Sequence, residues 1–107
     1  MKLKSNDTIQ LESRLFNGFS DPSRLAILKT LIKDKQPVNE IVKKTGLSQP
    51  NVSAHLSCLK ECHLVKSKQD GKQVFYSLTN KNIANLLKLG QKILKTSSDN
   101  IYKCTRY

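Results

Sequence analysis

SQPNVSAHLSCLKEC, residues 48–62, decides how this chain folds. Ser48 is a side chain that caps helix N-termini, Pro50 is tolerated in a first turn, and Val52 to Leu59 is compatible with helix throughout. The chain leaves that helix near His63. At about 100° per residue, Val52, Leu56 and Leu59 make one narrow stripe, the face a helix buries. Asn51, His55, Cys58 and Cys62 fall on a second stripe about 100° away. Two thiols therefore share a face with the polar groups nearer the N-terminus. Their i, i+4 spacing puts both sulfurs within reach of one ion.

Working backwards, Val38 to Lys44 reads as a short helix burying Val38, Ile41 and Val42, and Thr45-Gly46-Leu47 as a tight turn into the Ser48 helix. A short supporting helix, a glycine turn and a capped second helix are the parts of a helix-turn-helix. Before it, Lys33 to Pro37 reads as a loop. Asp21-Pro22, an N-cap followed by proline at the first helical position, opens a helix with Leu25, Leu28, Leu31 and Ile32 at core spacing. A first helix from about Thr8 to Phe19 carries Ile9, Leu15, Phe16 and Phe19, and residues 1–7 form a polar, flexible lead-in.

Working forwards, Val74, Tyr76 and Leu78 alternate with Gln73, Phe75 and Ser77, and Asp70-Gly71 separates this run from Leu64 to Gln69. That predicts a β-hairpin with a type I′ turn. Lys66, Lys68 and Lys72 crowd the hairpin and are candidates for phosphate contact, although charge on an exposed hairpin also serves to protect an edge strand. Thr79 caps a last helix running to about Lys95, with Ile83, Leu86, Leu87, Gly90, Ile93 and Leu94 on one stripe. SSDNIYKCTRY, which follows, shows no strong helical period and reads as a tail carrying the third thiol, Cys104.

The expected fold is mostly α with a β-hairpin: a winged helix-turn-helix that dimerises through its terminal helices. It forms a single domain over 1–107, with 1–7 as lead-in, 8–95 as core including the dimerisation helices, and 96–107 as C-terminal tail. A chain of 107 residues holds one modest core and not two. Its 19 Lys+Arg against 8 Asp+Glu give a net charge of +11, a field that attracts polyanions, nucleic acid first. No stretch approaches the ~18 apolar residues of a membrane span, so no membrane partner is expected and the location is cytoplasmic. There, three cysteines are reduced thiols, and an odd number argues against a closed disulfide framework. No nucleophile constellation, phosphate-binding glycine loop or carboxylate pair points to an enzyme.

These residues resemble the ArsR/SmtB winged-helix repressors that sense metal ions. The resemblance runs from Phe16 to Leu94 and rests on SDPSRLAIL at 20–28, GLSQPNVSAHLSCLKECHLV at 46–65 and DGKQVFYSL at 70–78. Within that family the layout is most similar to the cadmium/lead-sensing CmtR branch, which places two cysteines in the recognition helix and a third in the C-terminal tail. Cys58, Cys62 and Cys104 match that layout, and the branch implies that the third ligand crosses the dimer. Cysteines are absent from 38–44 and histidines from the last helix, where other branches place their ligands. The resemblance and the helix geometry together point to Ser48, Gln49, Asn51 and His55 for reading double-stranded operator DNA, since Gln and Asn each pair bidentately with adenine. For Ser48 and Gln49 the plainer roles are capping and solvation, and Ser48 can do both.

Three thiolates make a soft, anionic, low-coordinate site suited to Cd²⁺ or Pb²⁺ as effector. Zn²⁺ wants a fourth ligand, such as His63, Asp99 or water. The expected function is a homodimeric repressor that releases its operator when the ion binds. A second reading makes Cys58 and Cys62 a redox switch, though Cα atoms about 6 Å apart on one helix turn suit a disulfide poorly. A metal buffer, the third reading, needs neither the helix-turn-helix nor the charge.

Overall fold

The computed structural model describes the backbone of residues 5–105 and the side-chain surroundings of residues 7–97. The chain begins with α1 (Ser5–Ser20) and turns at Asp21 into α2 (Pro22–Thr30). The Asp21 carboxylate accepts from the Arg24 backbone N–H at 3.0 Å, and Pro22 supplies no N–H that would need a partner. Arg24 then reaches back to the end of α1, its guanidinium donating to the carbonyls of Gly18 at 3.2 Å and Asn17 at 3.0 Å. One side chain thus closes the C-terminus of α1 and fixes it against the start of α2.

The expected helix-turn-helix is present. α3 (Val38–Thr45) ends at Gly46, whose φ of 74° is the left-handed cap, with its N–H bonded to the Val42 carbonyl at 2.9 Å. α4 (Gln49–Glu61) starts from Ser48, whose hydroxyl accepts from the Asn51 N–H at 3.3 Å. Val52, Leu56 and Leu59 are fully buried, as their stripe predicts. They join Ile27, Leu28, Leu31, Ile41, Leu64, Val65, Ile83 and Leu87 in one core.

Lys33–Pro37 is not wholly loop. Gln36–Pro37 forms a two-residue strand, β1, pairing antiparallel with β3 (Gln73–Leu78), which also pairs with β2 (Val65–Asp70) in the order β1-β3-β2. So short an edge strand has no pattern to read, and Pro37 is allowed because an edge residue need not donate. The hairpin turn also differs from expectation. Asp70 pairs with Gln73, so the two turn residues are Gly71 and Lys72. Of these Gly71 alone has positive φ, 65°, as a II′ turn requires and a I′ turn does not.

α5 (Lys81–Thr105) is the larger departure, since the expected tail continues the helix. No Gly or Pro follows Gly90, and adding residues to an existing helix costs far less than starting one. The polar SSDN segment therefore propagates the helix although it shows no apolar period.

Candidate nucleic-acid interface and thiol pair

The N-terminal half of α4 is a polar, exposed surface: Ser48, Gln49, Asn51 and Ser53 all lie open to solvent. Ser48 is held by its capping bond, while Gln49 and Asn51 project from the first turn with side chains free of hydrogen bonds among the described residues. His55 differs. Its ring is half-buried and lies near Asp21, whose carboxyl is held below its ordinary range by the Arg24 backbone N–H, then by the Arg24 charge, and more weakly by His55. His55 therefore faces the α1–α2 junction as well as the reading surface.

The wing is tied to α4 by a bond that sequence reasoning missed: Lys60 donates to the Ser67 hydroxyl at 2.7 Å. Side chains alternate along β2, so Ser67 lies on the face turned towards α4, and Lys66 and Lys68 lie on the opposite face, cross-strand from Ser77 and Phe75. Lys72 occupies the tip. A second missed contact is Lys35, its ammonium 5.0 Å from the centroid of the Phe75 ring. Neither contact has a local sequence signal, because each joins residues whose proximity arises only when the sheet forms.

Cys58 and Cys62 lie one turn apart, with the Cys62 N–H bonded to the Cys58 carbonyl at 3.1 Å, and both are exposed. Cys62 is the C-cap of α4 and opens into a cleft of about 220 Å³ lined by Leu11, Arg14, Leu15, Gly18 and Leu64. Burial pushes its thiol pKa up, and the charge and hydrogen bonding of the adjacent Cys58 push it further. Cys62 is accordingly a protonated thiol at neutral pH, and any thiophilic ion binding there would have to displace that proton. Among the described residues no three His, Cys, Asp or Glu converge on a metal position. Cys104 belongs to the last turn of α5 by its backbone, but its side chain lies outside the described residues.

Directly after Cys62 the backbone turns sharply. His63 has φ 61°, left-handed for a residue other than glycine, with its N–H bonded to the Lys60 carbonyl at 3.1 Å and the Leu64 N–H to the Leu59 carbonyl at 3.0 Å. Thr79 holds the other side, its hydroxyl donating to the His63 carbonyl at 2.7 Å. The thiol pair thus borders the joint between α4 and the wing.

A capped helix crossing a shorter one at a glycine turn, followed by a two-stranded wing, defines a winged helix-turn-helix regulator. Residues 21–67 match the family described as "Bacterial regulatory protein, arsR family". The chain is 35% identical over 94 residues to a probable mercury resistance operon repressor of Streptomyces lividans, covering 88% of this chain and 75% of that one. It is 36% identical over 88 residues to the transcriptional regulator CmtR of Mycobacterium tuberculosis, covering 81% and 75%. The NMR structure of that protein, a cadmium metal-sensor, matches with a TM-score of 0.63 at 37% identity over 71% of this chain and 79% of that one. The crystal structure of M. tuberculosis Rv0081 matches with a TM-score of 0.78 at 29% identity over 88% and 96%. The chain belongs to the arsR family of bacterial regulatory proteins, and these relatives are regulators rather than enzymes. Among the described residues no helix is long and apolar enough to cross a membrane.

Proposed function

We propose that this protein is a homodimeric repressor that binds a two-fold operator through α4 and the wing, and releases it when a thiophilic ion binds Cys58 and Cys62. The observation that carries this reading is the make-up of one helix, with polar, exposed Gln49 and Asn51 at its start and two exposed thiols at its end. An ion gathered there acts on the same rigid element that reads bases. Gln49 and Asn51 make the base contacts, Ser48 caps the helix and approaches a phosphate, and Lys72 at the wing tip takes the backbone, with Lys66 and Lys68 on its outer face. His55 supports α4 from its inner edge.

Cys104 completes a three-thiolate site, contributed across the dimer. The continuous α5 supports this, because its backbone carries on as helix through position 104 instead of ending near Lys95. Such a site favours Cd²⁺ or Pb²⁺, and Zn²⁺ where a fourth ligand joins. Both CmtR, a cadmium sensor, and the mercury operon repressor are relatives of this chain. A second ion, Hg²⁺, is favoured by the two exposed thiols one turn apart at the end of α4, since two soft thiolates satisfy it.

Titration of reduced protein with Cd²⁺ and Hg²⁺, followed by sulfur-to-metal charge-transfer absorption and by release of promoter DNA from its own gene, tests the reading. We expect Cys58→Ser and Cys62→Ser each to abolish release by either ion, and Cys104→Ser to abolish it for Cd²⁺ while sparing Hg²⁺. The coupling between ion and DNA should be on the order of 1 to 3 kcal/mol, or roughly 5- to 150-fold in affinity. Equal DNA affinity with and without either ion defeats the proposal.

A further inference from the structure

Outside α4 and the thiol pair, one cleft carries charge of a single sign. It encloses about 430 Å³ where the end of α2, the loop after it, the end of α3 and the third and fourth turns of α5 meet. Lys29, Lys33, Lys44 and Lys88 line it together with Gln36 and Gln91, and no acidic residue does. Part of this has a plain explanation: Lys29 and Lys44 sit in the last turns of α2 and α3, where a cation complements the helix dipole. Lys33 and Lys88 are at no helix end. None of the four forms an ion pair among the described residues, where Lys43 and Glu40 do, and neither glutamine carboxamide makes a hydrogen bond there. Four lysines around one cleft with no acidic residue among them make it locally positive, and an anion with several oxygens complements that charge.

The cleft is continuous with the wing. Ile32 and Lys33 also line the next groove, which shares Lys35, Lys66 and Ser77 with the groove around Phe75 on the outer wing face. At its other end Lys44 stands four residues before Ser48, the cap of the reading helix. It also stays open on dimerisation through the apolar face of α5, because Lys88 is about 140° around the helix from Ile93.

We propose that this cleft is a phosphate-binding site separate from the recognition helix, occupied by the backbone of DNA that flanks the operator half-site. That occupant rests on the repressor reading; the affinity for phosphate does not.

The test compares the native chain with Lys29→Gln/Lys33→Gln/Lys44→Gln/Lys88→Gln and with the matching Lys→Arg variant. All four side chains are exposed, so each variant should still unfold in one cooperative transition, the Gln variant with a midpoint moved only by the helix-end charges and mutual repulsion it loses. Anisotropy is read on the shortest duplex selected from a random pool, and on the same duplex extended by about 10 base pairs at each end. On the extended duplex the Gln variant should lose about 0.9 of log-log salt slope for each phosphate contact removed, with no change on the short duplex and full retention by the Arg variant. Calorimetry with inorganic tripolyphosphate supplies the other arm. Tripolyphosphate binding lost in the Gln variant, with DNA binding unaltered, keeps the phosphate site and assigns it a free anion instead of flanking DNA. Identical salt slopes and no tripolyphosphate binding overturn the proposal. If the native chain binds no duplex the repressor reading falls, and the tripolyphosphate arm alone decides the cleft.

Discussion

Cys62 sets how the molecule responds to pH. Its thiol is raised above the ordinary value of 9.0, by burial first and by Cys58 second, so Cys62 is protonated at pH 7 and metal capture there would release its proton. On the proposed site, formation of the Cys62 thiolate should make apparent affinity for Cd²⁺ rise about tenfold per pH unit through neutrality, levelling off only above the raised pKa. Stability runs the other way. The fold prefers the neutral Cys62, so this contribution is complete below the unfolded pKa and is lost as pH climbs through the folded one. Competition titrations with a chelator between pH 6 and 8 check the first statement, and an affinity independent of pH would contradict it. The neighbouring His63 makes a second prediction. At φ 61° it bears a cost that glycine does not, partly offset by the entropy glycine loses on folding, so His63→Gly should stabilise the protein by about 0.5 to 1 kcal/mol in thermal melts at fixed concentration. The i, i+4 thiols were legible from spacing alone. The strained residue beside them was not, because histidine carries no signal for positive φ.

Among the elements, α4 was the most legible. Its cap, its buried stripe and its polar start all follow from local chemistry, and Val52, Leu56 and Leu59 are fully buried as read. The two roles of Ser48 can be separated. Ser48→Ala should cost about 1 kcal/mol by removing the cap, whereas Ser48→Gly should cost only a few tenths of that unit. If both variants nevertheless lose the same operator affinity, the hydroxyl contacts DNA; if affinity follows stability, it only caps. β1, the Gly71-Lys72 turn and the last ten residues of α5 were misread for a common reason. Two strand residues carry no period, a turn is fixed by which residues pair across it, and a polar helix end is sustained by the helix before it. The bond from Lys60 to Ser67 joins α4 to the wing, so an ion bound at Cys58 and Cys62, as proposed, would flank the lysine that sets the wing against α4.

At the scale of the whole molecule, the single chain leaves much apolar surface open. Ile9, Leu11, Leu15 and Phe16 on α1, and Leu89, Ile93 and Leu94 on α5, are between 43% and 65% exposed. On α5, Ile83 and Leu87 face the core while Leu89 and Ile93 turn away, so the stripe read from sequence is shared between the core and an outer face. A second copy of the chain is the natural cover for these terminal helices. Ile93→Asp should therefore give a monomer in sedimentation, with the domain still folded and operator affinity reduced by 100-fold or more on the order expected when two half-sites no longer bind as one. A variant that stayed dimeric would move the interface elsewhere. The +11 charge, by contrast, was plain from composition, though composition did not place part of it in a cleft away from the reading helix.

The unbroken α5 gives this assembly a gearing. A helix of 25 residues is about 37 Å long, so a tilt of about 5° at Lys81 sweeps the far end through roughly 3 Å. An ion that closed on Cys104 would act at the long end of this lever. The protein would then measure an ionic radius as an angle, and ions of differing size would leave its two DNA-reading ends at different separations.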